Sequence, residues 1–272
     1  MSDDALHGPA EGGSDGYMAS MTDLLVGMLF IFIIMLMTFA LSYRSAQDEH
    51  MTTVDTLAAM VEEISRKTAI LERGQALLAE NQKVLDHMLG EVQDALRQQG
   101  VKATVEESGV IRLRDSMPFR SGDADLDATA ARTARILSEV FTRILPCYTA
   151  AASPRAGCPA KARPILEGVF VEGHTDNQPI SGRFRDNWVL STARASSTYE
   201  AIKATAPNLA NLRNASGKVV FGVSGYGEGR PVAGNDTDAG RALNRRIDVR
   251  FLLSTPTPEQ LERIRREAEA VK

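Results

Sequence analysis

Residues 24–43 read LLVGMLFIFIIMLMTFALSY, and this apolar run decides how the chain is built. It contains no charged residue, and about 20 residues at 1.5 Å each span the roughly 30 Å hydrocarbon core of a bilayer. A removable signal peptide would need a basic leading segment and a shorter apolar run. The preceding residues 1–18 contain no Lys or Arg, and their acids are Asp3, Asp4, Glu11 and Asp15. We therefore predict a retained transmembrane helix over residues 19–43 after an acidic tail, residues 1–18.

The composition of the whole chain excludes several classes of protein. Among 272 residues, 31 Lys and Arg face 35 Asp and Glu, which gives a net charge of −4. Mild acidity argues against a protein whose main task is to bind nucleic acid electrostatically. Two cysteines are too few for a zinc cluster or a disulfide-built scaffold. We expect no nucleic-acid partner, no metal and no cofactor.

Asp23 stands at the start of the apolar run. A carboxylate at the centre of a bilayer costs roughly 2.5–3.5 kcal/mol and less near the interface, so an intramembrane acid indicates a functional site. The alternative is an interfacial acid that is favourable at a helix N-terminus. Tyr17, an aromatic residue of the kind that lies at membrane interfaces, comes about two turns earlier and favours a position of Asp23 inside the membrane.

A heptad pattern follows over residues 44–100. Apolar residues recur at alternating spacings of three and four, which predicts a coiled-coil linker and a homodimer. The seam residues are Val54, Leu57, Val61, Ile64, Leu71, Leu78, Leu85, Leu89, Val92 and Leu96, with polar Thr68, Gln75 and Gln82 among them. The alternative is a long helix packed on another protein, because Gly74 and Gly90 each cost about 1 kcal/mol within a helix.

Residues 101–255 read as an α/β domain. Alternating or continuous apolar stretches predict strands over 110–113, 166–171, 218–224 and 247–253, and helical spacing predicts helices over 127–145, 187–204 and 239–244. This β-α-β-α-β-(α)-β order predicts an α+β fold with a small mixed sheet and helices on one face. Thr257 and Gln260 form a capping box for a further helix over 259–271, within a C-terminal segment of residues 256–272.

Four separated motifs in this domain resemble one known family. Residues 171–180 read VEGHTDNQPI, residues 187–195 read NWVLSTARA, residues 225–231 read GYGEGRP, and residues 235–248 read NDTDAGRALNRRID. In content and order they resemble the OmpA-like peptidoglycan-binding domain in its MotB-type version. The resemblance implies that Asp176 and Arg194 hold the zwitterionic end of the diaminopimelate side chain of the cell-wall peptide. It also implies that Asn187, Asn244 and Arg245 line the same pocket.

The chemistry of the ligand agrees with this implication, although other interpretations stay open. A diaminopimelate end carries an ammonium and a carboxylate, which a fixed carboxylate and a guanidinium can match. Taken without the resemblance, Asp176 can equally cap a turn and Arg194 can form an internal ion pair. His174, Asp176 and Ser191 are residue types of a hydrolase, but the chain has no G-x-S-x-G elbow, and the glycines of residues 225–229 fit no phosphate-binding motif. We therefore expect no enzyme.

Cys147 and Cys158 lie in a segment that looks like an insertion relative to the family pattern. In an oxidising compartment they can close a loop of about a dozen residues, which stabilises a fold by roughly 2–3 kcal/mol. Two free thiols are the alternative.

The family resemblance also implies a function for Asp23, which aligns with the ion-carrying aspartate of MotB-type stator subunits. Such subunits work with a multi-pass MotA-like or ZorA-like partner, and the resemblance implies two copies of this chain with five of the partner. The acidic tail, the helix sequence and the long linker resemble ZorB, the MotB-like subunit of the Zorya anti-phage system, more than a flagellar MotB. A flagellar stator and a passive OmpA-like anchor without ion flow are the alternatives.

The expected location is the bacterial inner membrane, with the N-terminus cytoplasmic and the C-terminal domain periplasmic. Cell-wall binding and the cysteine pair both require this orientation. The positive-inside rule argues against it, because basic residues follow the apolar run and none precedes it. Those residues are Arg44, Arg66, Lys67 and Arg73.

Overall fold

The computed structural model describes residues 15–113, 115–150, 157–160 and 162–269. The chain divides into two compact units, Met1–Ala69 and Ile70–Lys272. Within the described ranges the helices are α1 (Asp15–Gln98), α2 (Ala128–Ile144), α3 (Asn187–Thr205), α4 (Asp238–Asn244) and α5 (Pro258–Glu269). The strands are β1 (Thr104–Glu106), β2 (Val110–Arg112), β3 (Leu166–Gly173), β4 (Phe221–Gly225) and β5 (Ile247–Leu253).

The described part of the first unit is the N-terminal part of α1. An 18-residue window of this helix has a mean hydropathy of 2.9, and none of the window is buried within the chain. Its large apolar side chains are open to their surroundings, as shown by the 66% exposure of Phe30 and the 69% exposure of Phe39. It is the only helix, among the described residues, that is long and apolar enough to cross a membrane. Asp23 lies within it and is also exposed.

The second unit contains a mixed sheet with the strand order β1-β2-β5-β3-β4. β3 runs parallel to β4 and antiparallel to β5, and β2 is antiparallel to both β1 and β5. The pairing of Val171 with Val249 on one side and with Val223 on the other fixes the central register. The predicted mixed sheet in an α/β domain is therefore confirmed.

The sheet has five strands, and sequence reasoning predicted four. The additional strand, β1, pairs with β2 through a tight turn in which Ser108 and Gly109 both have positive φ angles, 62° and 76°. A side chain at position 109 would place its Cβ 2.6 Å from the carbonyl oxygen of Phe251, so this turn requires glycine. Three residues of strand are too short for a periodicity to be read, which is why β1 was missed.

The helices α2 and α3 cover one face of the sheet. Val169, Val171, Val249 and Phe251 are each 1% exposed or less, and the ring of Phe251 meets that of Phe141 from α2 edge-on at 6.0 Å. The caps that the sequence indicates are present: Asp127 accepts a hydrogen bond from the backbone of Ala130 at the start of α2. At the start of α5, the backbone N–H groups of Thr257 and Gln260 each donate to the side chain of the other residue, which confirms the predicted capping box.

The C-terminal end of α1 is part of this domain. Leu85, Leu89, Val92 and Leu96 are each 2% exposed or less and belong to the same hydrophobic core as the sheet. The heptad pattern assigns them to a seam between two chains, and the structure buries them within their own chain instead. The reason is that a leucine stripe at helical spacing satisfies a globular core as well as a coiled coil. The seam residues further upstream are not buried within the chain: Leu57 is 55% exposed and Leu71 is 65% exposed.

Side-chain hydrogen bonds connect the segment after α2 to this helix end, and a disulfide closes a loop within the segment. Cys147 and Cys158 are joined by a disulfide. Arg163 donates to the side-chain oxygen of Asn81 from Nε at 3.1 Å and from Nη2 at 2.8 Å, and the hydroxyl of Tyr148 donates to Glu91 at 3.0 Å. Burial, together with this acceptor, raises the pKa of Tyr148.

Two leucines at equivalent heptad positions test the division of α1. Leu85→Ala should lower the free energy of unfolding of the domain by about 2–5 kcal/mol, because it removes a buried side chain and leaves a cavity. Leu71→Ala, the matched control two heptads earlier, should change it by less than about 0.5 kcal/mol, since Leu71 lies outside the domain core, and measurements at several protein concentrations separate any effect on the association of two chains. Urea unfolding of the full chain, followed by the fluorescence of Trp188, gives both values. Equal losses in the two variants would show that Leu85 is not a core residue.

Candidate functional site

The site is built where α3 lies directly against the ends of two strands. At Gly173, the last residue of β3, an added Cβ would lie 2.0 Å from the carbonyl oxygen of Ser191 in α3. At Gly225, the last residue of β4, it would lie 2.2 Å from the hydroxyl of Thr192. Only glycine permits this close approach, which brings the residues after β3 next to the first turns of α3.

Asp176 follows β3 by three residues and is 6% exposed. Its Oδ2 accepts from Nη1 of Arg245 at 2.6 Å, and its Oδ1 accepts from the backbone N–H of Gln178 at 3.1 Å. The carboxylate therefore caps a turn and carries one guanidinium partner. That partner is Arg245, whereas the sequence analysis placed Asp176 beside Arg194.

Arg194 lies on α3 with its side chain fully buried. Nε donates to the carbonyl of Asp123 at 2.8 Å and Nη2 to the carbonyl of Arg120 at 2.9 Å, while the guanidinium carbon lies 5.0 Å from the ring centroid of Phe119. Nη1 is buried and has no hydrogen-bond partner among the described residues. The NH2 group at Nη1 is therefore uncommitted in a buried site.

The electrostatics keep this guanidinium charged. Burial lowers the pKa of Arg194 to about 10, and the nearby carboxylate of Asp176 opposes the shift. A pKa of about 10 still leaves the group protonated at neutral pH. The site thus combines a buried cation with a carboxylate that is already paired with a second cation, Arg245.

Asn187 and Asn244 make hydrogen bonds to the loops around the site. Asn187 donates from Nδ2 to the carbonyl oxygen of Gln178 at 3.1 Å, and its Oδ1 is buried without a partner among the described residues. Asn244 is fully buried and accepts from the backbone of Val232 and Ala233 at 2.8 and 3.1 Å. It also donates to the carbonyl of Ala233 and to the side chain of Asn235, both at 2.9 Å. Asn187 can therefore still accept from a ligand, whereas Asn244 positions a loop.

Sequence reasoning missed a charged network on the face of the sheet opposite the helices. Glu172 and Asp248 are directly paired across β3 and β5 and are 1% and 2% exposed. Arg250 binds Glu172 through two hydrogen bonds of 2.7 and 3.0 Å, and Asp248 accepts from Arg246 at 3.0 Å and from Arg112 at 3.3 Å. The signal was the alternation of charged with apolar residues along β3 and β5, which directs every second side chain to this face.

His174 lies in this network, with its Nε2 3.5 Å from Oδ2 of Asp248. Its ring stacks on Tyr226 with centroids 5.4 Å apart, and neither ring nitrogen has a hydrogen-bond partner among the described residues. Burial, followed by the field of Arg246, lowers the pKa of His174 to about 3, so the ring is neutral. The hydroxyl of Ser191 donates to the carbonyl of Trp188 and accepts from the backbone of Gly227. The described ranges also place no three His, Cys, Asp or Glu residues so that they could hold a metal ion.

Comparison with known proteins gives the following likenesses. No family model matches the chain. Motility protein B of Bacillus subtilis (strain 168) is 29% identical over 180 residues, which make up 64% of this chain and 58% of that protein. The uncharacterized protein YtxE of the same organism is 24% identical over 245 residues, or 87% of this chain and 88% of that protein. A solved structure of a MotB-like protein from Desulfovibrio vulgaris covers 65% of this chain and 99% of its own, with 20% identity and a TM-score of 0.48.

The sequence likeness to motility protein B supports the predicted MotB-like relationship. That alignment spans less than two thirds of motility protein B. The alignment therefore supports a MotB-like relationship, and the activity and partners of this chain are a matter for proposal.

The positioning role of Asn244 can be measured directly. Asn244→Ala should accelerate hydrogen exchange at the backbone amides of Val232 and Ala233, because both lose their acceptor. It should also lower the free energy of unfolding by about 1–3 kcal/mol, the penalty for buried groups left unpaired. Asn208→Ala, at an exposed position of the short 3-10 helix Pro207–Asn211, is the matched control and should change neither quantity. Unchanged exchange at positions 232 and 233 would contradict this role.

Proposed function

We propose that this chain is the peptidoglycan-anchored stator subunit of an ion-driven motor complex in the bacterial inner membrane, of the Zorya anti-phage type. The observation that carries the anchoring half of the proposal is the buried, charged guanidinium of Arg194 with Nη1 uncommitted, close to the carboxylate of Asp176. The carboxylate of a zwitterionic ligand can accept from Nη1 of Arg194, and its ammonium can donate to the free lone pairs of Asp176. The diaminopimelate residue of the cell-wall peptide offers both groups at one end.

The remaining residues of the pocket support the same ligand. The buried Oδ1 of Asn187 is an acceptor that an ammonium can satisfy. Arg245, in contact with Asp176, adds positive charge beside the ligand carboxylate. A simple anion would gain nothing from Asp176, and a simple cation would gain nothing from Arg194. The pair therefore favours a zwitterion over either.

Asp23 supports the ion-driven half of the proposal. It is the only charged residue between positions 16 and 43, in the described helix that is apolar enough to cross a membrane. Its carboxylate can take up a proton, face an apolar wall while neutral, and release the proton on the other side. Each elementary charge that crosses is worth about 2.3 kcal/mol per 100 mV of membrane potential. A multi-pass MotA-like or ZorA-like subunit, in five copies, is the proposed partner that rotates.

The free part of the heptad seam supports a homodimer. Its exposed residues are Val54, Leu57, Val61, Ile64, Leu71 and Leu78, which are 44–66% exposed. Side chains of this size at coiled-coil spacing are buried when a second helix packs on them. The disulfide between Cys147 and Cys158 supports a periplasmic position of the domain, because such bonds persist in oxidising compartments.

The assignment to anti-phage defence rests on the acidic residues 1–18 and the sequence of the apolar helix, which resemble the Zorya subunit. The likeness to motility protein B favours a flagellar stator as the second candidate. The two differ in what the rotating partner drives, and they share the pocket and Asp23.

Cell-wall binding is tested by Asp176→Asn, which keeps the shape of the side chain and removes its charge. We expect the fraction of full-length chain that co-sediments with isolated sacculi to fall at least tenfold, since an ion pair with the ligand is lost. Asp236→Asn, in an exposed position of the neighbouring loop, is the matched control and should bind like the unmodified chain. If Asp176→Asn co-sediments as well as the control, the pocket is wrongly assigned.

Ion transfer is tested by Asp23→Asn, which cannot titrate. In cells that carry the partner genes, we expect the variant to lose phage protection while its amount in the membrane and its binding to sacculi stay unchanged. Asp48→Asn, on α1 beyond the apolar run, is the control and should retain protection.

Two other outcomes of the Asp23→Asn experiment lead to other functions. Loss of swimming in place of phage protection would assign the chain to a flagellar stator. Full retention of both would leave a passive anchor between membrane and wall and would refute the ion-driven proposal.

A further inference from the structure

The heptad seam of α1 has two different environments within the second unit. Leu71 and Leu78, at one of the two seam positions, are 65% and 44% exposed. The next two residues at the same heptad position, Leu85 and Val92, are 2% and 0% exposed. The heptad spacing is the same on both sides of this change. What differs is the group that covers the seam, and from Leu85 onward that group is the chain's own domain.

The cover begins with the turn between β1 and β2. An added Cβ at Gly109, in that turn, would lie 3.3 Å from Cδ2 of Leu85. Nε2 of Gln93 donates to the carbonyl of Ala103 at 3.1 Å, which fixes the segment before β1 beside the same stretch of helix. A second helix that followed the seam would collide with these groups. It can therefore accompany α1 as far as Gln82, which is exposed, and no further.

The exposed part of the seam fits a second copy of this chain. A heptad repeat is complementary to itself, because two parallel helices of equal phase interlock their seam residues. The positions that flank the seam carry opposite charges: Lys67 precedes a seam residue, and Glu72, five residues later, follows the next one. Both side chains are exposed. In a parallel pair these two positions of different chains face each other, so their charges attract.

We propose that two copies form a parallel coiled coil over residues 54–82 that ends at Gln82, because each chain's own domain takes the place of the partner helix from Leu85 onward. The inference rests on the homodimer of the proposed function and adds the point at which the two chains part. Each domain lies on the seam side of its helix, so the two domains face each other between the diverging helices. The dimer then presents two Asp176 sites, each carried by its own helix.

The domain is the better cover for the last part of the helix. It buries the seam residues and also Val84, Met88 and Ala95, which lie outside the seam and are 7%, 0% and 5% exposed. A two-stranded coiled coil buries chiefly the seam residues themselves. Because the free energy of burial grows with the apolar area removed from water, the domain gains more from this stretch than a partner helix would.

Distances between spin labels on the two copies locate the end of the coil. The labels are attached through Ala76→Cys, Lys83→Cys and Arg97→Cys, three exposed positions that are equivalent in the heptad. Cys147 and Cys158 are joined to each other and do not take up label. In the full-length chain in detergent, we expect equal distances at positions 76 and 83. At position 97 the distance should be longer by at least about 10 Å, the thickness of one packed layer.

The other outcomes of this measurement contradict the inference in different ways. Equal distances at all three positions would show that the coil continues through the end of α1. A longer distance already at position 83 would show that the chains part before Gln82. An absence of dipolar coupling at position 76 would refute the homodimer of the proposed function together with this inference.

A charge in the seam provides a second test. With the label at position 83, Leu78→Asp should broaden the distance distribution, because pairing of the helices would bury a carboxylate without a partner. Ala76→Asp, the matched control on the outer side of the same turn, should leave the distribution unchanged. Both positions are exposed in the single chain, so neither variant should alter the urea unfolding of the domain. An unchanged distribution in Leu78→Asp would contradict pairing along this seam.

Discussion

The direct contact between the backbone of α3 and the end of β3 is the constraint on which the site depends. Without a side chain at Gly173, the carbonyl of Ser191 can lie 2.0 Å from where a Cβ would be. This approach brings α3 close to the loop after β3. Asn187 can then donate a hydrogen bond to the carbonyl of Gln178, and the charge of Arg194 interacts with the carboxylate of Asp176. A larger residue at position 173 would separate the two elements and, with them, the two charges of the site.

Charge and burial are arranged so that the site is prepared before a ligand arrives. Two carbonyl groups hold the guanidinium of Arg194, and a turn amide and Arg245 hold the carboxylate of Asp176. Groups fixed in this way lose little entropy on binding, and their low-polarity surroundings strengthen each contact.

Much of this architecture could be predicted from the sequence, for reasons that individual residues make clear. The apolar run, the caps at Asp127 and Thr257 and the strand over residues 247–253 each follow from local patterns, and the structure contains all of them. The direct partner of Asp176 could not be predicted, because Arg194 and Arg245 lie in different motifs that both contribute to the same pocket, and only their packing shows which of them contacts the carboxylate. The end of the heptad stripe was misassigned for a similar reason: Leu85 has the spacing of a seam residue, and its true partners are distant in sequence.

The central claim is that the pocket recognises a zwitterion through Asp176 and Arg194 together. The most direct test compares two stem tripeptides, one with diaminopimelate and one with lysine at the third position, in titrations against the full-length chain. Lysine presents the ammonium without the adjacent carboxylate, so Nη1 of Arg194 is left without its partner. We predict that the diaminopimelate peptide binds at least tenfold more tightly, and equal affinity for the two peptides would contradict recognition of a zwitterion.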